Sequence, residues 1–370
     1  MSGVTEILLD LVAIPSVSAM SNEPVIEYIR RRLDPEHWAL ESFPFADAAG
    51  TEKVNLVAFA NTGAAEDVEL ALVCHTDTVP FDPAWDEAIR PQIRDGRLYG
   101  RGSCDVKGFL ACILAAVEHI DPRELHKPLA LVFTADEEVG CVGAKHLVGE
   151  NAIRARRFLI GEPTGLHPVR AGKGYCLAEI VVRGREAHSA LPSYGHSAIY
   201  DAARIVTSIE AIAKEVSESC VPDFDPPYTT INIGIIQGGT AKNIIPGECR
   251  ILVEWRPVPG QDPRWVANLI QRELTGYDAT LDVQRLEPGF GPSGAETLAP
   301  FLSALTGRVT ATVAFGTEAA ALAGAGAEAV VFGPGDMSTA HRSGEYVPID
   351  ELELCVDYLR STIRHFCGVK

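Results

Sequence analysis

Four short apolar runs punctuate the first half of the chain: residues 54–60 (VNLVAFA), 68–75 (VELALVCH), 129–134 (LALVFT) and 158–162 (FLIGE). Each is too short for an ordinary helix and rich in Val, Leu, Ile and Phe, the pattern of a strand buried on both faces. Helical spacing runs over residues 24–32 and 108–119. Near-continuous apolar strands alternating with helices predict a largely parallel or mixed sheet covered on both faces, an α/β arrangement whose sites gather at the carboxyl ends of the strands.

From Gly172 the pattern changes. Alternation in YCLAEIVVRG (175–184) predicts a half-buried strand, followed by a helix over 197–214, strands over 231–236 and 249–254, and a helix over 264–274. That order, β-α-β-β-α, is close to an independent α+β unit. After the loop EPGFGPSG (287–294) the α/β pattern resumes with a strand at 310–313, a helix after Thr317, a strand at 329–332 and a final helix from Ile349. The alanine- and glycine-rich stretch 318–329 reads as a packed helix with its C-terminal turn. The chain is therefore expected to form one domain from residues 1–171 and 287–370, with residues 172–286 inserted as a second.

Composition narrows the classes of function. A 370-residue chain that is 46% hydrophobic can fill two cores. Fifty acidic against 32 basic side chains, a formal charge of −18, repel phosphate backbones and anionic lipid, which argues against nucleic-acid or membrane partners. The same balance suits a cationic substrate or a divalent metal, and equally a simple solubility role. Nine cysteines, an odd number without a C-x-x-C pair, argue against a disulfide framework and a cysteine-rich zinc module, and point to a reducing, cytoplasmic setting. The opening MSGVTEILLDLVAIPS lacks a basic segment before its apolar residues and reads as an amphipathic helix rather than a signal peptide. No apolar run reaches membrane-spanning length.

Chemistry-bearing residues cluster where the apolar runs end. In Cys74-His75-Thr76-Asp77-Thr78 the period of two lets His75 and Asp77 point the same way, so that a carboxylate could fix the tautomer of a metal-bound imidazole; a capped strand end is the plain alternative. The segment YGRGSCDVKG (99–108) is a glycine-rich turn leading into a helical pattern, from which Asp105 could face inward with both oxygens free for two cations. Neither phosphate-loop spacing occurs in it, and nothing nearby marks Cys104 as an activated thiolate. Three acids close the next run in TADEEVG (134–140). They form either a solvated loop or a pair with divided labour, one ionised as a ligand and one held near a bound water as general base. Glu162 ends the fourth run, and His341 comes much later in TAH (339–341). No one of these is diagnostic, but His75, Asp105, Glu138, Glu162 and His341 together make a histidine and carboxylate set suited to zinc or a similar ion.

In order along nearly the whole chain stand HTDTVP, GRGSCDVKG, FTADEEVGCVGAKH, IGEPTGLHPVRAGKGY, REAHSALPSYGHSAI, GGTAKNIIPG, WRPVPG, FGTEA and GPGDMSTAHRSGEYV. By these motifs the sequence resembles the zinc-dependent aminoacylase, acetylornithine deacetylase and succinyl-diaminopimelate desuccinylase metallohydrolases. GEPTGLHPVRAGKG, RPVPG and FGTEA are most similar to the acetylornithine deacetylase branch. The resemblance implies a phosphorylase/hydrolase-like sheet with an inserted ferredoxin-like lid and dimerisation domain. It implies two zinc ions per chain, replaceable by cobalt: Asp105 bridging, His75 and Glu162 on one ion, Glu138 and His341 on the other. Glu137 becomes the general acid and base that deprotonates the attacking water and passes the proton to the leaving amine, and Asp77 orients His75. From the lid, His188 would reach a neighbouring active site to stabilise the oxyanion. Asn243 and Arg256, with Gly316 and Thr317 of FGTEA, would contact substrate. The expected reaction is removal of an N-acyl group from a small amino acid, N-acetylornithine first among them, by a homodimer. Ser197, Ser343 and Gly344 depart from the residues common in the family, and none of them is a ligand. Desuccinylase or dipeptidase activity on the same metals is the rival within the hydrolases. A catalytically dead binding homologue is the rival outside them, and it would ordinarily have lost a ligand or the base.

Overall fold

A computed structural model describes residues 3–60, 68–292, 294, 296–323 and 326–368. It divides into two compact units, one of Met1–Arg170, Pro292–Ala311 and Thr317–Lys370, the other of Ala171–Gly291 and Thr312–Gly316.

In the first unit, strands Trp38–Ala46, Glu52–Ala60, Leu129–Thr134, Leu70–His75, Arg157–Gly161 and Glu328–Phe332 lie side by side in that order. The first two pair antiparallel, and Glu52–Ala60 meets Leu129–Thr134 antiparallel. The last four are mutually parallel. Their carboxyl ends therefore share one edge of the sheet, where the residues after Thr134, His75, Gly161 and Phe332 emerge together. Every residue of LALVCH and LALVFT is buried, as two-sided coverage requires. The helix Lys107–Val117 is buried at every position and apolar nearly all round, the mark of an interior helix. Helix Gly3–Ala13 buries the stripe Val4, Ile7, Leu8, Leu11 and Val12, and helix Ile349–Cys367 buries Leu352, Cys355, Val356, Leu359 and Ile363 into the same core. Close approach between strand and interior helix needs a glycine: a Cβ on Gly161 would stand 2.1 Å from the Phe109 ring.

The second unit is a four-stranded antiparallel sheet ordered Thr230–Gly238, Glu248–Arg256, Tyr175–Arg183, Ala279–Glu287. Helices Ala198–Ser217 and Arg264–Glu273 supply Ile205, Ile209, Ile212, Val266 and Ile270 to one core with Ala178, Ile180, Ile251, Val253 and Trp255 of the strands. Its elements run β-α-β-β-α-β, the ferredoxin-like arrangement.

Several elements differ from the sequence reading. The strand Ala279–Glu287, absent from it, completes the second unit, and Trp38–Ala46 is an unanticipated edge strand. Helices Val142–Gly149 and Leu298–Thr306 are likewise additional. The helix expected through 318–329 is only Ala319–Leu322, because the chain turns at Gly326 in a left-handed conformation and enters the strand at Glu328. Residues 324 and 325 of that stretch lie outside those described, as do residues 1 and 2 of the N-terminal helix reading and residue 293 of the EPGFGPSG loop. Among the described residues no helix is long and apolar enough to cross a membrane.

Candidate active site

The shared strand edge gathers five of the expected residues of the first unit. His75 ends its own strand, Glu162 follows Arg157–Gly161, Glu138 lies four residues beyond Thr134, Asp105 precedes the interior helix, and His341 comes from the loop after Glu328–Phe332. Ligand atoms of His75, Asp105 and Glu162 all lie within 4.8 Å of one another, and so do those of Asp105, Glu138 and His341. Asp105 belongs to both groups, and its two oxygens are divided between them: Oδ1 is 3.3 Å from His75 Nε2, and Oδ2 is 3.0 Å from His341 Nε2. Glu138 Oε1 completes the second group at 3.1 Å from His341 Nε2.

The electrostatics favour cations here. Burial pushes Glu162 well above the usual carboxylate range, reinforced by the charges of Asp105 and Glu137, and burial raises Glu138 as well. His341 is raised to about 10 by its hydrogen bonds to Asp105 and Glu138. Burial opposes ionisation of Asp105, yet hydrogen bonds from His341 and His75 hold its carboxyl well below the usual range. Two groups of one imidazole and two carboxylates sharing one member are a donor set that fits a pair of borderline divalent ions.

Asp77 takes a more connected place than its spacing suggested. His75 Nδ1 lies 3.0 Å from the Asp77 backbone oxygen and 3.6 Å from its carboxylate. The carboxylate instead accepts from the amides of Glu137 (3.0 Å) and Glu138 (3.3 Å) and from the Ser18 hydroxyl (2.7 Å). One side chain thereby ties the histidine strand end to the acidic turn. Asp136, Cys141 and His341 all have φ between 52° and 58°, an unfavourable left-handed region for residues other than glycine. Burial raises Glu137 strongly, and the Cys141 thiol donates to its Oε1 at 3.3 Å. Burial also pushes the Cys104 thiol far from a thiolate, so it is no nucleophile.

Sequence reasoning passed over several residues around this cluster. Glu345 is fully buried, accepts from the amides of Cys104 (3.0 Å) and Asp105 (3.1 Å), and pairs with Arg101 at 2.6 Å, fixing the backbone that carries Asp105. Glu318, one residue past Thr317, is buried, and burial raises it to about 7. Ser18 and Lys53 stand behind Asp77 and Asp136. Glu345 and Glu318 carried a signal, through the GEY that follows His341 and through FGTEA; Ser18 and Lys53 depend on partners far away in the sequence.

Four expected substrate or oxyanion residues belong to the second unit. His188 is exposed on the two-residue strand Ala187–His188, which pairs with Ile244–Ile245, and its Nδ1 accepts from Ala190 N–H at 3.1 Å. Asn243 lies alongside, its backbone oxygen accepting from Ser189 N–H at 3.0 Å. Arg256 ends strand Glu248–Arg256 with its guanidinium 4.8 Å from the Tyr175 ring and 3.6 Å from Glu254. Gly316 falls in the second unit and Thr317 in the first, where the Thr317 hydroxyl accepts from Ala319 N–H.

Residues 71–365 match the model of peptidase family M20/M25/M40. An acetylornithine deacetylase of Myxococcus xanthus is 47% identical, covering 98% of this chain and 97% of its own. One from Proteus mirabilis is 32% identical over 98% and 96%. Among solved structures, a tripeptidase from Staphylococcus aureus superposes with a TM-score of 0.78 at 24% identity, covering 99% of this chain and 98% of that one. A dinuclear metal-binding M20 peptidase from Bacillus subtilis superposes with a TM-score of 0.69 at 16% identity, covering 99% and 98%.

Proposed function

The chain belongs to peptidase family M20/M25/M40 and is a metal-dependent hydrolase, and from that premise we propose that it hydrolyses N-acetylornithine to ornithine and acetate, as a step in arginine biosynthesis in the cytoplasm. The observation that carries the chemistry is the division of Asp105 between two ligand groups beside Glu137. The substrate follows from the full-length relatives, which bear that activity in their names. Two zinc ions, exchangeable for cobalt, would be held by His75, Asp105 and Glu162 and by Asp105, Glu138 and His341, and when bound they supply Lewis acidity for the amide carbonyl and the attacking water.

The chain's own residues do the rest. Glu137 takes a proton from the attacking water and delivers it to the amine nitrogen as the amide bond breaks. Its burial and the thiol contact from Cys141 give it the defined orientation that proton transfer needs. Asp77 keeps Glu137 and Glu138 apart by holding both their amides. Arg256 binds the substrate carboxylate in bidentate fashion, Asn243, Gly316 and Thr317 contact the remainder, and His188 donates to the developing oxyanion of a partner chain's substrate.

Residues 1–171 and 287–370 are assigned as the catalytic domain and 172–286 as a lid through which two chains pair. Exposed apolar side chains on the second unit support the pairing: Ile235 and Ile236 on the edge strand Thr230–Gly238, with Leu191, Tyr194 and Tyr200, are each at least half exposed.

Side-by-side assay of N-acetylornithine, N-succinyl-diaminopimelate and dipeptides, together with metal analysis, tests the reading. The purified protein is expected to carry up to two divalent ions per chain, to prefer N-acetylornithine, and to lose hydrolysis on chelation. Full activity without any divalent ion would overturn the metal assignment. Preference for the succinylated substrate or for dipeptides would move the chain to a sibling activity.

A further inference from the structure

Lys53 and Ser18 have no role in the reaction as described, yet the fold commits buried polar groups to both. Lys53 is 1% exposed, and a buried ammonium is costly unless fully partnered. Its Nζ donates to the Ser18 carbonyl, to the Met20 carbonyl at 2.9 Å and to Asp136 Oδ1 at 2.7 Å. Asp136 is the left-handed residue that immediately precedes Glu137. Ser18 is anchored at both its backbone groups, its carbonyl by Lys53 and its N–H by the Thr78 carbonyl at 3.0 Å. Its hydroxyl donates to Asp77 Oδ2 at 2.7 Å. Asp77 in turn accepts from the amides of Glu137 and Glu138.

These bonds close a circuit: Lys53 to Ser18, Ser18 to Asp77, Asp77 to the Glu137 amide, and Asp136 back to Lys53. The acidic turn is held from both ends, by its amides at Asp77 and by the Asp136 side chain at Lys53. The Asp136 carbonyl also accepts from the Val142 amide at 3.0 Å, but its side chain is held by Lys53, and loss of that hold would let the strained residue relax and swing the glutamate after it.

We propose that Lys53 and Ser18 are positioning residues for hydrolysis, a brace that sets the backbone at Asp136 and Glu137 so that Glu137 faces the reacting amide. The proposal rests on the reading of Glu137 as the proton-transfer group. The hydrogen bonds of Ser18 and Lys53 go to Asp77, Thr78, Met20, Asp136 and each other, and to no member of the two ligand groups. Their removal should therefore appear in turnover and in local backbone protection, not in substrate affinity or metal content.

The experiment compares wild type, Ser18→Ala, Ser18→Thr and the double variant Lys53→Met/Asp136→Asn, the last removing both charges so that neither is left buried alone. Three quantities are read: kcat and KM on N-acetylornithine with zinc-loaded protein, zinc content, and amide hydrogen exchange across residues 134–141 in metal-free protein. Ser18→Ala and the double variant are expected to keep their zinc and a KM within about twofold, to lose about tenfold to a hundredfold in kcat, and to exchange faster at the acidic turn. Ser18→Thr, which keeps a hydroxyl, is expected to recover most of the turnover. Wild-type kcat in both Ser18→Ala and the double variant would overturn the proposal, as would unchanged exchange or a loss arising wholly from KM or zinc. If wild type itself fails to hydrolyse the substrate while exchange responds as expected, the activity reading fails and the brace stands.

Discussion

Glu137 and Glu138 are adjacent in sequence and face different tasks. Glu138 reaches His341 Nε2 at 3.1 Å and belongs to a ligand group, while the Glu137 carboxylate accepts from the Cys141 thiol and is strongly raised by burial. Glu137→Gln should retain metal and lose roughly 10²- to 10⁴-fold in turnover, the range for a removed general acid or base. Glu138→Gln should lower metal occupancy. Metal analysis and kinetics on the same preparations check both, and near-normal turnover in Glu137→Gln would mean the roles are misassigned. A second residue pair bears on stability. Arg101 and Glu345 form a buried ion pair at 2.6 Å whose carboxylate also holds the amides on either side of the Cys104–Asp105 bond. Arg101→Met leaves that carboxylate buried without its countercharge and should destabilise the fold by about 3–5 kcal/mol in urea unfolding. Adding Glu345→Gln should recover part of the loss, since the stranded charge is then gone.

At the scale of elements, the site is legible where chemistry follows directly on an apolar run. LALVCH, LALVFT and FLIGE announce buried parallel strands, and His75, Glu137, Glu138 and Glu162 follow their ends because parallel strands deliver their carboxyl termini to one edge. Two strands at sheet edges are hidden. WALESFPFA has a half-exposed pattern interrupted by Pro44, and ATLDVQRLE alternates with polar residues at an edge of the second sheet, so neither stands out from a loop. Brace residues were hidden for a different reason: Ser18 meets Asp77 across 59 positions and Lys53 meets Asp136 across 83, and no local periodicity encodes such a pairing. The 161–162 junction shows how tightly an element can constrain the site. A methyl group at Gly161 would stand 2.1 Å from the Phe109 ring of the interior helix. Gly161→Ala should cost about 1–3 kcal/mol as overpacking, measured by thermal unfolding. It should also weaken metal binding, because relief of the clash displaces Glu162. An unshifted Tm would show that helix and strand part without strain.

The whole molecule poses a question that neither unit answers alone. The ligands and Glu137 lie in the first unit, whereas His188, Asn243 and Arg256 lie in the second. The second unit also carries an edge strand with Ile235 and Ile236 exposed, an unpaired row that a second copy of the chain could cover. In the proposed dimer each chain lends His188 to the other, so a complete site needs Glu137 from one chain and His188 from its partner. Ile236→Lys should then shift the protein toward monomer in sedimentation and depress turnover together with dimer content. Complementation is the sharper test. His188→Ala and Glu137→Gln chains should each be nearly inactive alone, the first through loss of an oxyanion donor and the second through loss of the proton-transfer group. In a mixed dimer, one site has the Glu137 of the His188→Ala chain and receives intact His188 from the Glu137→Gln chain, while the other site lacks both. Verified heterodimers should therefore recover up to about half the wild-type turnover, the share given by two symmetry-related sites of which one is whole. A histidine serving its own chain predicts no recovery at all, because every site in the mixture would then lack one group or the other.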